Sequence, residues 1–169
     1  GGTGRGRGGG GAAGVVYRHV RSGAGGCVGV LKAGGAQEVE IVGRIASGAE
    51  GASGRLRLAI TAFGRRARAG PGLAHAFIVE PVDPDVEAER MRGRRAFGDV
   101  FLRLVEEGVA AGELPAQDAH ATAACLVGAF TEAMVGPTAP SREAHRDEDA
   151  LVDAICSFCL RAIGAPVTR

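Results

Sequence analysis

Apolar residues recur at Phe97, Val100, Phe101, Leu104, Val105 and Val109, a spacing of i, i+3, i+4, i+7, i+8 and i+12 that marks one face of a helix and not a strand. The stripe belongs to a single long segment, Asp83 to Gly112, with Asp83 as its cap and Pro84 at the first helical position, where a missing N–H costs nothing. Gly112, followed shortly by Pro115, closes it. At about 1.5 Å per residue such a helix spans about 45 Å, long enough to be the pillar of a small all-helical domain.

The remaining segments show the same period. A helix-like stretch runs from Cys27 to Ser47. Leu56, Ala59, Ile60 and Phe63 then form one face of a helix whose other faces carry Arg55, Arg57, Arg65, Arg66 and Arg68, a pattern expected of a solvated face. Gly70-Pro71-Gly72 breaks that helix, a short one from Leu73 to Val79 follows, and Glu80-Pro81-Val82 turns the chain into the pillar. After Pro115, a helix from about Gln117 to Val135 carries Ala119, Ala123, Leu126, Val127, Phe130 and Met134, and Gly136-Pro137 is expected to stop it. A polar loop leads to a last helix from about Asp147, with Leu151, Ala154, Ile155, Phe158 and Ala162 on one face and Gly164-Ala165-Pro166 as its end. The expected fold class is all-α. The helices at 117–135 and 147–163 have more apolar surface than one partner layer would cover, which permits a pairing between subunits.

Composition changes this picture at one end. The chain of 169 residues suits one domain or one domain with a small appendage, and its net charge of +1 gives no bulk pull toward nucleic acid or membrane. Residues 1–37, however, hold Arg5, Arg7, Arg18, Arg21 and Lys32 and no acid, a basic end suited to phosphates. Eight of the first eleven residues are Gly, too many for a stable helix at about 1 kcal/mol each. A flexible basic tail, a frameshifted gene and glycines standing for unassigned side chains all account for that run. No apolar run of membrane-spanning length and no signal segment is present, so a cytoplasmic protein with reduced Cys27, Cys125, Cys156 and Cys159 is expected.

The octet Val15-Val16-Tyr17-Arg18-His19-Val20-Arg21-Ser22 precedes these helices, and Glu106-Glu107-Gly108-Val109-Ala110-Ala111-Gly112-Glu113-Leu114 closes the pillar. On these two stretches, in this order, and on the helix of Leu56 to Gly72 running into a Pro-Gly-Leu turn, the chain resembles the TetR family of transcriptional regulators. The family's DNA-reading helix ends in a pattern like L-Y-R-H-F before a Ser-containing turn, and its "EEGxAxGEL" junction matches residues 106–114. The resemblance implies an incomplete helix-turn-helix head with a connecting helix at 1–47, and a ligand-binding and dimerisation domain at 48–169. It implies a homodimeric repressor on double-stranded operator DNA, released when a small-molecule effector binds. Tyr17 and His19 would hold phosphates, with Arg18 and Arg21 adding charge. Base-reading residues would stand at Gly11 to Gly14, so the operator is unreadable. The other reading is a ligand-binding and dimerisation module without DNA binding, the literal consequence of the glycine-rich head.

Bulky or polar groups on the expected inward faces nominate a ligand pocket: Phe63, His75, Phe77, Met91, Arg95, Phe101, Phe130 and Met134. Arg90, Arg92, Arg94 and Arg95 flank Met91 and Gly93, so at least one arginine must face the packed side. Surface pairs with Glu87, Glu89 and Asp99 account for the others, unless Arg94 or Arg95 reaches a cavity to meet an acidic or carbonyl-bearing ligand. Chemistry of other kinds finds no footing. Cys156-x-x-Cys159 lies mid-helix with no second pair, the four histidines lack ligand spacing, no serine sits on a nucleophile elbow, and the glycine run lacks the Lys-Ser/Thr of a phosphate loop. No enzyme, cofactor or metal is expected.

Overall fold

The computed structural model describes residues 24–78, 84–139 and 147–166, and every described element is a helix. In chain order these are α1 (Ala24–Ala46), α2 (Ala52–Ala69), α3 (Pro71–Ile78), α4 (Pro84–Ala110), α5 (Ala119–Ala133), α6 (Val135–Thr138) and α7 (Glu148–Ala162). Asp83, Val79, the octet at 15–22, the glycine run and the loop residues 140–146 lie outside the described residues.

α1 lies along α4 and also touches α2 and α3; α4 packs on α5, and α2 on α4 and α7. One hydrophobic core joins them all. Leu31 and Val42 of α1, Leu56, Ile60 and Phe63 of α2, Phe97, Phe101 and Leu104 of α4, Phe130 of α5 and Cys159 and Leu160 of α7 are buried in it. The apolar face expected of α2 is buried as the period requires, and so is the stripe of α4, except that Val109 is half-buried.

The junction after α4 explains its own sequence. Gly112 adopts φ +72°, a left-handed conformation that side chains resist, and the chain folds back so that Glu113 N and Leu114 N donate to Gly108 O at 2.9 and 3.0 Å. Leu114 is thereby buried against Gly108, where an added Cβ would lie 2.8 Å from a Leu114 methyl. Glu113 is delivered to the start of α2. Its carboxylate accepts Ala52 N at 3.2 Å and Ser53 N at 3.0 Å, satisfying donors that the first turn of α2 leaves open. Those bonds, the one from Ser53 foremost, hold the Glu113 carboxyl below the usual carboxylate range.

Two boundaries differ from expectation. α1 begins at Ala24, ahead of Cys27, despite Gly25 and Gly26 in its first turn. Gly136-Pro137 does not end the helical path: after a turn at Met134 the chain makes the short α6, with Pro137 in a first turn that needs no N–H from it, and Thr138 Oγ1 donates to Met134 O at 2.8 Å. The arginines of α2 also depart from a merely solvated face. Arg55 pairs with Glu107 of α4 at 2.7 Å, Arg66 with Glu38 of α1, and Arg68 with Asp149 of α7 at 2.8 Å. Long side chains reach across to neighbouring helices; the Arg66 head stays 40% exposed, whereas that of Arg55 is largely buried.

Candidate ligand cavity and subunit face

Small residues on facing helices leave a space between α1, α2 and α3. Gly34 and Gly35 of α1 face Ala67 and Gly70 at the end of α2, Leu73 and Ala74 of α3 close one side, and Phe63 and Phe97 form the inner wall. The cavity holds about 270 Å³, close to the lower end of ordinary small-molecule sites. An added Cβ at Gly34 would lie 2.7 Å from a Leu73 methyl, so Leu73 would have to turn into the space. Its polar lining is sparse: Gln37 and the ion pair of Glu38 with Arg66. Arg66 Nε donates to both carboxylate oxygens of Glu38 at 2.8 Å, and Nη2 adds a contact to Oε1 at 2.7 Å. Hydrogen bonding to Glu38 raises the affinity of Arg66 for its proton.

The nominated pocket residues distribute unevenly. Phe63 lines this cavity and packs its ring on Phe97 (5.7 Å between centroids, edge-on) and Phe130 (4.7 Å, tilted). Phe101 and Phe130, 5.3 Å apart, and Met134 are sealed in the core and line none of the three spaces described in this section. His75 is half-buried with Nδ1 3.4 Å from Thr138 Oγ1, at the contact between α3 and α6. Met91 and Arg95, expected to face inward, are exposed. Continued backward from Phe97, the helical stripe passes through Arg90 and Val86, and these are the buried positions. Arg90 is therefore the arginine that faces the packed side, held to Glu87 at 2.7 and 2.8 Å. Arg92 pairs with Glu89. Arg95 stands at a more open cleft between α4 and α5 with Arg94, Asp99 and His120. Arg94 is half-buried, donates to Thr131 Oγ1 at 3.4 Å, and burial followed by the charge of Arg90 lowers its proton affinity. The side chain of Phe77 lies outside the described residues, as do Tyr17, Arg18, His19 and Arg21.

Sequence reasoning missed the cavity's own frame. Gly34, Gly35, Ala67 and Gly70 carry no chemistry to attract notice, and only their facing each other across two helices makes a space. Glu38, the first acid after the acid-free basic end, was the one available signal.

A second feature lies between α5 and α7. α5 and α7 form a shallow apolar groove with Ala121, Cys125, Leu126 and Ala129 on one wall and Phe158, Ala162 and Ile163 on the other, and Phe158 is 56% exposed. Cys125 is an exposed free thiol, whereas Cys156 and Cys159 are buried; burial and then the neighbouring Cys156 push the Cys159 thiol up to about 11. Cys159 is a core group, not a nucleophile. Among the described residues no cluster of His, Cys, Asp or Glu is placed to hold a metal, and no helix is long and apolar enough to cross a membrane.

No protein-family model and no curated protein sequence matches the chain. Solved structures do. A transcriptional regulator of the TetR/AcrR family from Thermobifida fusca YX-ER1 superposes with a TM-score of 0.68 at 22% identity, over 86% of this chain and 77% of that one. A bacterial regulatory protein of the TetR family from Rhodococcus RHA1 superposes with a TM-score of 0.67 at 19% identity, over 91% of this chain and 80% of that one. The chain has the TetR-family fold, as the octet and the junction at 106–114 led us to expect.

Proposed function

We propose that this protein is a ligand-responsive, DNA-binding transcriptional repressor that acts as a homodimer. The observation that carries the reading is the position of the cavity. Its wall is shared between α1, which the sequence joins directly to the basic octet, and the helices of the body. A molecule seated there touches both the body and the segment leading to DNA, so it can favour one arrangement of the two over the other. The likeness to two structures of TetR-family regulators supports the role. In this reading residues 1–47 form the DNA-binding head, in which Tyr17, Arg18, His19 and Arg21 contact phosphates, and residues 48–169 form the ligand-binding and dimerisation body. Helices α5 and α7 pair with their copies through the groove around Phe158, and the effector enters beside Phe63.

Selection from a random duplex pool at low salt, followed by anisotropy titration, tests the DNA function. A recovered palindromic site, bound with an affinity that falls steeply with salt, is the expected result. Failure to bind any duplex at low salt refutes it. The glycines at 11 and 14, where base-reading side chains would stand, favour the second reading: a ligand-binding and dimerisation module without DNA function. That reading predicts a dimer that holds ligand and ignores every duplex.

A further inference from the structure

From the chemistry of the cavity's polar edge we infer that the effector is an amphipathic anion whose carboxylate takes Arg66 from Glu38 and so unfastens α1 from α2. The inference rests on the ligand-cavity reading above and adds the ligand class and the contact that transmits binding. The cavity's walls are Phe63, Phe97, Leu73 and small residues, which call for an apolar body. Among the described residues its charged lining is the pair Glu38–Arg66, and that pair spans the two helices whose relation the ligand must alter.

The geometry of the pair selects the sign of the ligand's charge. Arg66 grips Glu38 through three close contacts from a planar fork. A ligand carboxylate replaces the Glu38 carboxylate like for like on that fork, so the exchange at Arg66 costs little and burial of the apolar body drives it. A ligand ammonium would have to replace the guanidinium at Glu38, and a compact charge cannot reproduce the planar contacts. Once the anion is seated, Glu38 has lost its partner and faces a like charge. α1, which carries Glu38, is thereby pushed from α2, which carries Arg66.

Isothermal titration of the full chain with octanoate, octan-1-ol and octylammonium separates these possibilities. Octanoate is expected to bind at least about tenfold more tightly than either neutral or cationic probe. Arg66→Gln should remove that preference and leave octanol binding unchanged. Glu38→Gln, nearly isosteric, should tighten octanoate by removing its competitor while leaving octanol unchanged. Hydrogen exchange of α1 amides should rise with octanoate and not with octanol. Octanol or octylammonium binding as well as octanoate would overturn the anion class while leaving the cavity reading intact. If Glu38→Gln weakens octanoate, the carboxylate exchange is refuted. Binding of none of the three would remove the cavity reading together with the inference.

Discussion

Phe63 and Phe101 are both core aromatics of α2 and α4, yet truncating them should differ in cost because only one borders an existing space. Removing either ring costs about 3–5 kcal/mol, of which the hole contributes about 24 cal/mol per Å³, or about 2.4 kcal/mol for a hole of roughly 100 Å³. Phe101 is fully buried, and Phe101→Ala leaves a closed void, so its cost should lie near 5 kcal/mol. The space left by Phe63→Ala opens into the cavity of about 270 Å³, where water already has access to polar groups at Gln37, Glu38 and Arg66. Its cavity contribution should be largely relieved. Phe63 has ring contacts to Phe97 and Phe130 while Phe101, among the described residues, has one to Phe130, so the extra contact returns about 1 kcal/mol of the difference. A cost of about 3–4 kcal/mol for Phe63→Ala remains, about 1–2 below that of Phe101→Ala. The chain contains no Trp, so urea unfolding followed by far-ultraviolet circular dichroism is the suitable assay. If Phe63→Ala proves the more costly of the two, the cavity is not continuous with that ring and its placement beside Phe63 is wrong.

The glycines make opposite predictions by position. An added Cβ at Gly43 or Gly128 meets nothing within 4 Å, so Ala there should stabilise by about 0.5–1 kcal/mol each in the same unfolding assay, whereas Gly64→Ala drives a methyl to within 2.9–3.0 Å of buried Val152 and should destabilise by about 1–3 kcal/mol. The lowered pKa of Glu113 sets a pH dependence: the ionised cap contributes its stability above the ordinary carboxyl value of 4.5 and loses it as pH falls through the lower folded value. Unfolding midpoints measured across that acid range should therefore fall more for the native chain than for Glu113→Gln, which is less stable at neutral pH. Phe158→Glu places a charge in the apolar groove and should convert a dimer to monomer in sedimentation without loss of helicity, because the side chain lies outside the core.

Helical period carried the sequence reading a long way where apolar residues define the face. The stripe of α4 and the face of α2 emerge from spacing alone, and the junction at 106–114 contains its own geometry in Gly108, Gly112 and Glu113. Period fails where a side chain is long. Nothing along the chain says that Arg66 meets Glu38 while Arg65 stays exposed, because that choice depends on the rotation of α2 against α1, set by packing at Leu31 and Val42. At α1, expected from Cys27 to Ser47, the helix is present and only starts earlier, at Ala24. Gly25, Gly26, Gly29, Gly34, Gly35 and Gly43 argue against a helix at about 1 kcal/mol each, and burial against α4 overrides them. Treating Met91 as inward-facing came from valuing its apolar character over the register of its own helix, in which Arg90 occupies the buried position with its charge returned to Glu87.

Helix α2 touches α1, α3, α4, α6 and α7, and the strength of each contact decides which one a ligand beside Phe63 displaces. α7 is locked on α2. Val152, Cys156, Cys159 and Leu160 are all buried, and Val152 sits so close to Gly64 that no methyl could be inserted between them. α1 has two fully buried apolar anchors among its described side chains, Leu31 and Val42, with glycines over the cavity and a partly exposed ion pair at its edge. Such a pair contributes about 0–1 kcal/mol, against about 1.5–3 kcal/mol for each large apolar side chain buried in α7. Seating an apolar ligand in this cavity is therefore expected to load the α1–α2 contact, where the ion pair and glycines lie, before the α2–α7 contact. On the proposed reading, with α5 and α7 as the subunit face, that face would stay fixed while the segment leading toward residues 15–22 shifts, the division of labour a dimer needs if ligand binding is to change the relation of its two heads.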